Sequence, residues 1–231
     1  VVYAIFQDEV PGWDFKVSFI VMEYIPGTTV LSAWETLSAS AKRDIVSQLR
    51  RHMDELRSIP SPGYYGGVWR QQIRDRDFER RSDGLPYPEP EITGPHETEA
   101  QLVEGMLRCL EQAFIPYEGG PERRERHLAY FRRHYHSVFK GHPPVFKGHP
   151  PVFTHANFFP GNVILRPDGS VVIIDWEHSG WYPTFWEYCG TMWLLDHESD
   201  WDDLVYDILD EYEAEMGWFV DHRENIFHRI G

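Results

Sequence analysis

The chain is short of cysteine and of positive charge and lacks any long apolar run, and each shortage removes a class of function. Its two cysteines, Cys109 and Cys189, cannot build a disulfide framework. Cys109 falls in an apolar helical stripe with Leu102, Met106, Leu110 and Ala113, the setting of a buried, inert thiol. Lysine and arginine number 22 against 37 aspartate and glutamate, a formal net charge of −15. Such a surface repels nucleic acid and anionic lipid. The arginines that do gather, Arg50–Arg51 and Arg123 to Arg133, are interleaved with acids and read as solvated helix faces. No apolar run approaches the roughly 18 residues of a membrane span, and the first residues lack a basic-then-apolar signal pattern. The expectation is a cytoplasmic protein that binds neither nucleic acid nor membrane. Also missing are a Gly-x-Ser-x-Gly elbow and a Rossmann or Walker glycine loop. His134 and His136 stand two apart on a helix and face apart, which argues against a shared metal.

What is present suits one large domain, or a lobe and a half: 231 residues, 42% hydrophobic and 15% aromatic. The aromatic load reads first as core packing and second as the lining of a pocket. Val1 to Phe6 and Val17 to Met22 are strand candidates around a turn at Pro11-Gly12-Trp13-Asp14, and they suit a hairpin. Pro26-Gly27 then breaks regular structure. Ile45, Leu49, Met53 and Leu56 recur at helical spacing, and Pro60 and Pro62 stop that helix. From Ser61 to His96 no period shows, which predicts an extended loop of the long kind that is often functional. Amphipathic helices are predicted over about Glu97 to Phe114, about Glu122 to Phe139, and from Trp201 to Tyr212. Val163 to Leu165 and Val171 to Ile174 flank Arg166-Pro167-Asp168-Gly169, whose Asp-Gly is a strong hairpin signal. The sum is an α+β architecture.

Lys140-Gly141-His142-Pro143-Pro144-Val145-Phe146 is repeated without change as Lys147 to Phe153. Two copies do not make a repeat fold, and lengthening a loop costs only about 0.6 kcal/mol per doubling. A tolerated duplication is therefore the reading. A metal site from His142 and His149 is disfavoured, because each copy brings a single ligand.

The chemistry concentrates in Phe153-Thr154-His155-Ala156-Asn157-Phe158-Phe159-Pro160-Gly161-Asn162, followed after the hairpin by Ile174-Asp175-Trp176-Glu177. A strand ends in a loop of polar side chains, and the hairpin then returns an aspartate to the same place. Asn162 and Asp175 flank the hairpin, so its closure is expected to bring an amide and a carboxylate oxygen together. That pair suits Mg²⁺, which takes one or two protein oxygens and fills its shell with phosphates and waters.

This pattern resembles the aminoglycoside phosphotransferase and choline kinase family. Its catalytic loop reads His-Gly-Asp, then Asn five residues after the Asp, then Ile-Asp-Trp-Glu. Phe19 to Gly27 is similar to the family's adenine-holding hinge. Gly63-Tyr64-Tyr65-Gly66, Gly94 to Glu99, Gly180 to Pro183 and Trp186-Glu187-Tyr188 are similar to segments of its fungal branch. The resemblance implies a protein-kinase-like fold, with a remnant N-terminal hairpin and hinge over 1–27 and a helical C-terminal lobe over 28–231. It implies ATP at Met22, Glu23 and Tyr24, and Mg²⁺ at Asn162 and Asp175 if phosphotransfer is retained. It makes His155 the structural histidine of a catalytic set formed by His155, Asn157 and Asp175.

Two departures bear on function. Asn157 stands where the family has its catalytic aspartate, and Ala156 where it has a glycine; an amide accepts no proton at neutral pH. The nucleotide-covering loop and strand lysine of the family's front lobe have no counterpart, since the lysines are Lys16, Lys42, Lys140 and Lys147 alone. The chain could be a natural short form, a fragment or incomplete gene model, or a variant altered at Asn157; the first is expected. The resulting expectation is a degenerate phosphotransferase-fold protein, not an efficient ATP kinase. It would bind or transform an apolar small metabolite by acid/base chemistry through His155, Asp175, Glu177 and His178. The alternatives are an ATP- and Mg²⁺-dependent phosphotransferase acting on a small hydroxylated molecule, and a non-catalytic pseudokinase. A homodimer covering the surface that a front lobe would bury is a further expectation.

Overall fold

The computed structural model describes residues 2–9, 16–79, 89–113, 120–136, 144–195 and 199–227. Period-two apolar sequence makes the opening hairpin: β1 (Val2–Glu9) pairs antiparallel with β2 (Lys16–Met22), placing Ile5 opposite Ile20 and Phe6 opposite Phe19. The Phe6 and Phe19 rings stack with centroids 5.2 Å apart. The turn expected at Pro11 to Asp14 lies outside the described residues. After residues 23–26, Gly27 takes φ 150° and passes so close to Leu165 that a Cβ would lie 2.3 Å from its carbonyl oxygen, which explains the glycine. β3 (Thr28–Thr29) and α1 (Val30–Ala33) follow, and the Thr29 hydroxyl accepts from Ser32 N–H as a helix cap.

α2 (Ala39–Arg57) is capped by Ser38 and buries Ile45, Val46, Leu49 and Met53 along one stripe. It ends ahead of Pro60, at the Ser58 cap. The segment from Ser61 to His96, expected as an extended loop, carries β4 (Gly66–Gly67), α3 (Arg76–Glu79) and α4 (Pro90–Thr93). These elements are too short to show a period. They are held by tertiary bonds instead, as where Tyr65 and His96 exchange both backbone hydrogen bonds at 2.8 Å and Ile73 N–H donates to Thr93 O at 2.7 Å.

α5 (Glu99–Ala113) and α6 (Pro121–His136) form where the apolar stripes predict them, burying Leu102, Met106 and Leu110, and Leu128, Phe131 and Tyr135. β5 (Pro151–Thr154), the hairpin strands β6 (Val163–Leu165) and β7 (Val171–Ile173), and β8 (Gly180–Pro183) come next. α7 (Trp186–Trp193), α8 (Trp201–Ile208) and α9 (Glu213–Phe227) complete the body. The helix predicted from Trp201 to Tyr212 stops at Ile208, because Leu209 turns extended. Two small antiparallel sheets, ordered β3-β6-β7 and β4-β8-β5, carry the loop between them.

The two copies of the duplicated heptapeptide do different work. In the first, Phe146 is buried between Tyr135 and Phe185, with ring centroids 4.8 and 5.0 Å away. The second runs into β5, and its His149 meets Thr184 Oγ1 at 2.9 Å and Glu215 at 3.1 Å. His142 lies outside the described residues. No helix among the described residues is long and apolar enough to cross a membrane.

Candidate functional site

The site grows out of the end of β5, which pairs with β8 from Pro151 opposite Pro183 to Thr154 opposite Gly180. At His155 the chain leaves the strand, and Ala156 turns it sharply by adopting φ 64°. Phe158 then sinks into the core and anchors the loop, its carbonyl accepting from Thr191 Oγ1 at 3.1 Å. A short 3-10 turn over Pro160–Asn162 leads into β6, and β7 brings the chain back. Ile174 N–H donates to Asn162 O at 2.9 Å, which closes the hairpin's base. Asp175 follows in the left-handed region, φ 65° and ψ 57°, ahead of a second 3-10 turn over Trp176–His178.

His155 is buried, and both ring nitrogens are engaged. Nε2–H donates to Ile174 O at 2.8 Å, and Nδ1 accepts from Asn157 N–H at 3.3 Å. Those partners define the Nε2–H tautomer of a neutral ring that ties the loop to the hairpin. Trp176 packs edge-on against it at 4.6 Å.

Asn157 follows the turn, half-buried, and its backbone carbonyl accepts from Asn162 Nδ2 at 3.0 Å. The amide donor of Asn162 is therefore in use, which leaves its Oδ1 as the acceptor available to a cation. The Asn157 amide approaches Asp175 Oδ2 at 3.5 Å, the long limit of a hydrogen bond. The expected set His155, Asn157, Asn162 and Asp175 is thus joined through one loop and one hairpin. Asp175 and Trp176 stand exposed at its front.

Of the other expected residues, Met22 closes β2, and Glu23 and Tyr24 run exposed beyond it. Lys16 opens β2, while Lys42 is held on α2 by Asp200 at 2.7 Å and lies 4.8 Å over the Trp34 ring. Glu177 and His178 sit on the second 3-10 turn, with His178 Nδ1 bonded to Arg74 O.

Two residues that spacing did not single out hold the loop from the inside. Glu187, buried in the first turn of α7, accepts from His155 N–H at 2.7 Å and from Ala156 N–H at 3.0 Å, one with each oxygen. Arg57, the last residue of α2, donates from Nη1 to Phe153 O at 2.6 Å and to Thr154 Oγ1 at 2.8 Å. Burial lowers the Arg57 pKa below the ordinary arginine value, with Glu187 opposing the shift. An acid within the aromatic run Phe185-Trp186-Glu187-Tyr188 was the signal for Glu187, since a buried carboxylate needs partners. Arg57 has no such signal.

With this geometry in place, comparison with known proteins finds that residues 2–221 match the phosphotransferase enzyme family, APH. The chain belongs to that family. No curated protein and no solved structure matches it. Membership in APH gives the chain a protein-kinase-like fold, in agreement with the mostly helical α+β body, and identifies it as a phosphotransferase-fold protein.

Proposed function

We propose that this APH-family chain is a slow, cation-dependent phosphotransferase that moves a nucleotide phosphoryl group onto a small hydroxylated molecule without a side-chain general base. The observation that carries the reading is the division of labour within the loop. Both nitrogens of His155 and both oxygens of Glu187 are bonded to backbone, whereas Asp175 and the Oδ1 of Asn162 are not. Acid/base chemistry through His155 is thereby disfavoured, and His155 and Glu187 act as positioning residues.

Asn162 and Asp175 offer the oxygen donors that a Mg²⁺ ion accepts when phosphates and waters complete its shell. Bound there, such a cation supplies charge neutralisation for the phosphate oxygens. Asn157 can align an acceptor hydroxyl by hydrogen bonding but takes no proton from it. A phosphoryl transfer with a loose transition state relies mostly on positioning and electrostatics, so turnover persists at a reduced rate.

The test is calorimetric titration with Mg²⁺ and ATP, together with the rate of phosphate release. Wild type should bind the nucleotide only with the cation, and Asp175→Ala should lose that binding. Asn157→Asp should raise the rate by about 10²–10⁴-fold, the usual range for a general base. Failure of wild type to bind Mg²⁺-ATP would defeat the reading.

A further inference from the structure

A second polar enclosure lies on the inner side of the loop. It is a cavity of about 170 Å³ between α2, β5, the start of α7 and the end of α8. Neither Asn157 nor Asp175 lines it; Arg57 and Glu187 do, together with Met53, Val152, Ile208 and Leu209. The two side chains that hold residues 153–156 are therefore also walls of a space that a ligand can enter.

The charges in this space are unevenly matched. Arg50 pairs with Asp54 at 3.0 Å and with Asp210 at 2.9 Å, so two of the three acids lining the cavity are already paired. Glu187 has a backbone N–H on each oxygen. Arg57 meets only neutral oxygens, both through Nη1, and no carboxylate lies within ion-pair distance of it among the described residues. A half-buried cation bonded only to neutral oxygens, with Glu187 acting on it from beyond ion-pair distance, is costly. Its Nε–Nη2 edge keeps two parallel N–H groups, the geometry that a carboxylate matches bidentately. Three carboxylates against two arginines line the space, so a singly charged anion suits it better than a dianion such as phosphate. Met53, Val152, Ile208 and Leu209 supply the apolar part of the wall.

We propose that this cavity binds a small monocarboxylate with a short apolar tail, the carboxylate on Arg57 and the tail against Met53, Val152, Ile208 and Leu209. The ligand stiffens the loop, because it loads the same arginine that fixes Phe153 and Thr154. This site stands apart from phosphotransfer and does not depend on it.

Pentanoate is the probe, with pentan-1-ol and pentylamine as controls of the same length. Calorimetry and thermal unfolding of the wild-type chain should show saturable one-to-one binding of pentanoate in the millimolar range, and none of either control. Arg57→Lys should weaken it by about ten-fold or more, since the forked geometry is lost. Val152→Phe fills the cavity from β5 and should abolish binding while leaving the far-UV circular dichroism unchanged. Should Arg57→Lys fail to fold, Val152→Phe and the alcohol control decide. Absence of saturable pentanoate binding to wild type would overturn the proposal, as would equal binding of pentan-1-ol or binding retained in Val152→Phe. Amide exchange at His155 and Ala156 should slow on saturation; unchanged exchange in the bound state overturns the link to the loop.

Discussion

Two non-glycine residues in left-handed conformation, Ala156 at φ 64° and Asp175 at φ 65°, bracket the candidate site. For an L-residue that region costs about 1–2 kcal/mol. At Ala156 the strain is sustained by the bonds on either side, Glu187 to the backbone and Phe158 in the core. Glycine removes the Cβ clash but adds freedom to the unfolded chain worth about 0.5–1 kcal/mol. Ala156→Gly should therefore stabilise the fold by about 0.5–1 kcal/mol in urea unfolding, and a loss of stability would show that the methyl group is needed for packing. At this scale the polar side chains that the loop brings together were legible beforehand. His155, Asn157, Asn162 and Asp175 stand out because they fall on a loop and a turn that resemble the family's motif. Arg57 does not stand out, because it acts on backbone atoms nearly a hundred positions away. A contact of that kind leaves no local pattern.

At the scale of elements, the sequence showed those whose burial follows a period. α2, α5 and α6 each bury one apolar stripe, and the β6–β7 hairpin has its Asp-Gly turn. α9 escaped because the pattern is reversed at its centre: His222 and Arg223 are buried there, polar residues where a period would show apolar ones. Arg223 explains the inversion. Its Nη2 donates to both oxygens of Asp75 at 2.8 and 2.9 Å, and its Nε donates to Asp77 Oδ2 at 3.2 Å. Asp75 also accepts from Trp186 Nε1 at 2.9 Å, so one buried cluster fastens α9, α7 and the start of α3 together. Removing the cation leaves two buried carboxylates facing each other's field. Arg223→Met should cost about 3–5 kcal/mol, the usual penalty for halving a buried ion pair. Equilibrium denaturation measures it, and a loss below about 1 kcal/mol would mean that the cluster is hydrated.

For the whole molecule, charge sets how stability follows pH. With 37 acids against 22 bases, protonation of surface carboxylates relieves repulsion as the solution is acidified. His222 works in the opposite direction. It is buried, and its Nδ1 accepts from the Tyr135 hydroxyl at 3.1 Å. Burial, and then the charge of Arg223, push its pKa down to about 3. In the unfolded chain a histidine titrates near about 6.5. Between those values the unfolded state carries the extra proton, so stability is full above about pH 6.5 and falls as pH drops toward 3, by about 1.4 kcal/mol per unit. His222→Gln keeps an acceptor for Tyr135 but has nothing to titrate. Urea unfolding at pH 7 and pH 5 should thus show wild type losing about 2 kcal/mol relative to His222→Gln over that interval. The comparison cancels the surface carboxylates, which the two chains share. Parallel profiles would show that His222 takes up its proton without unfolding the chain, and α9 would then be a helix that opens locally instead of one locked by its buried polar face.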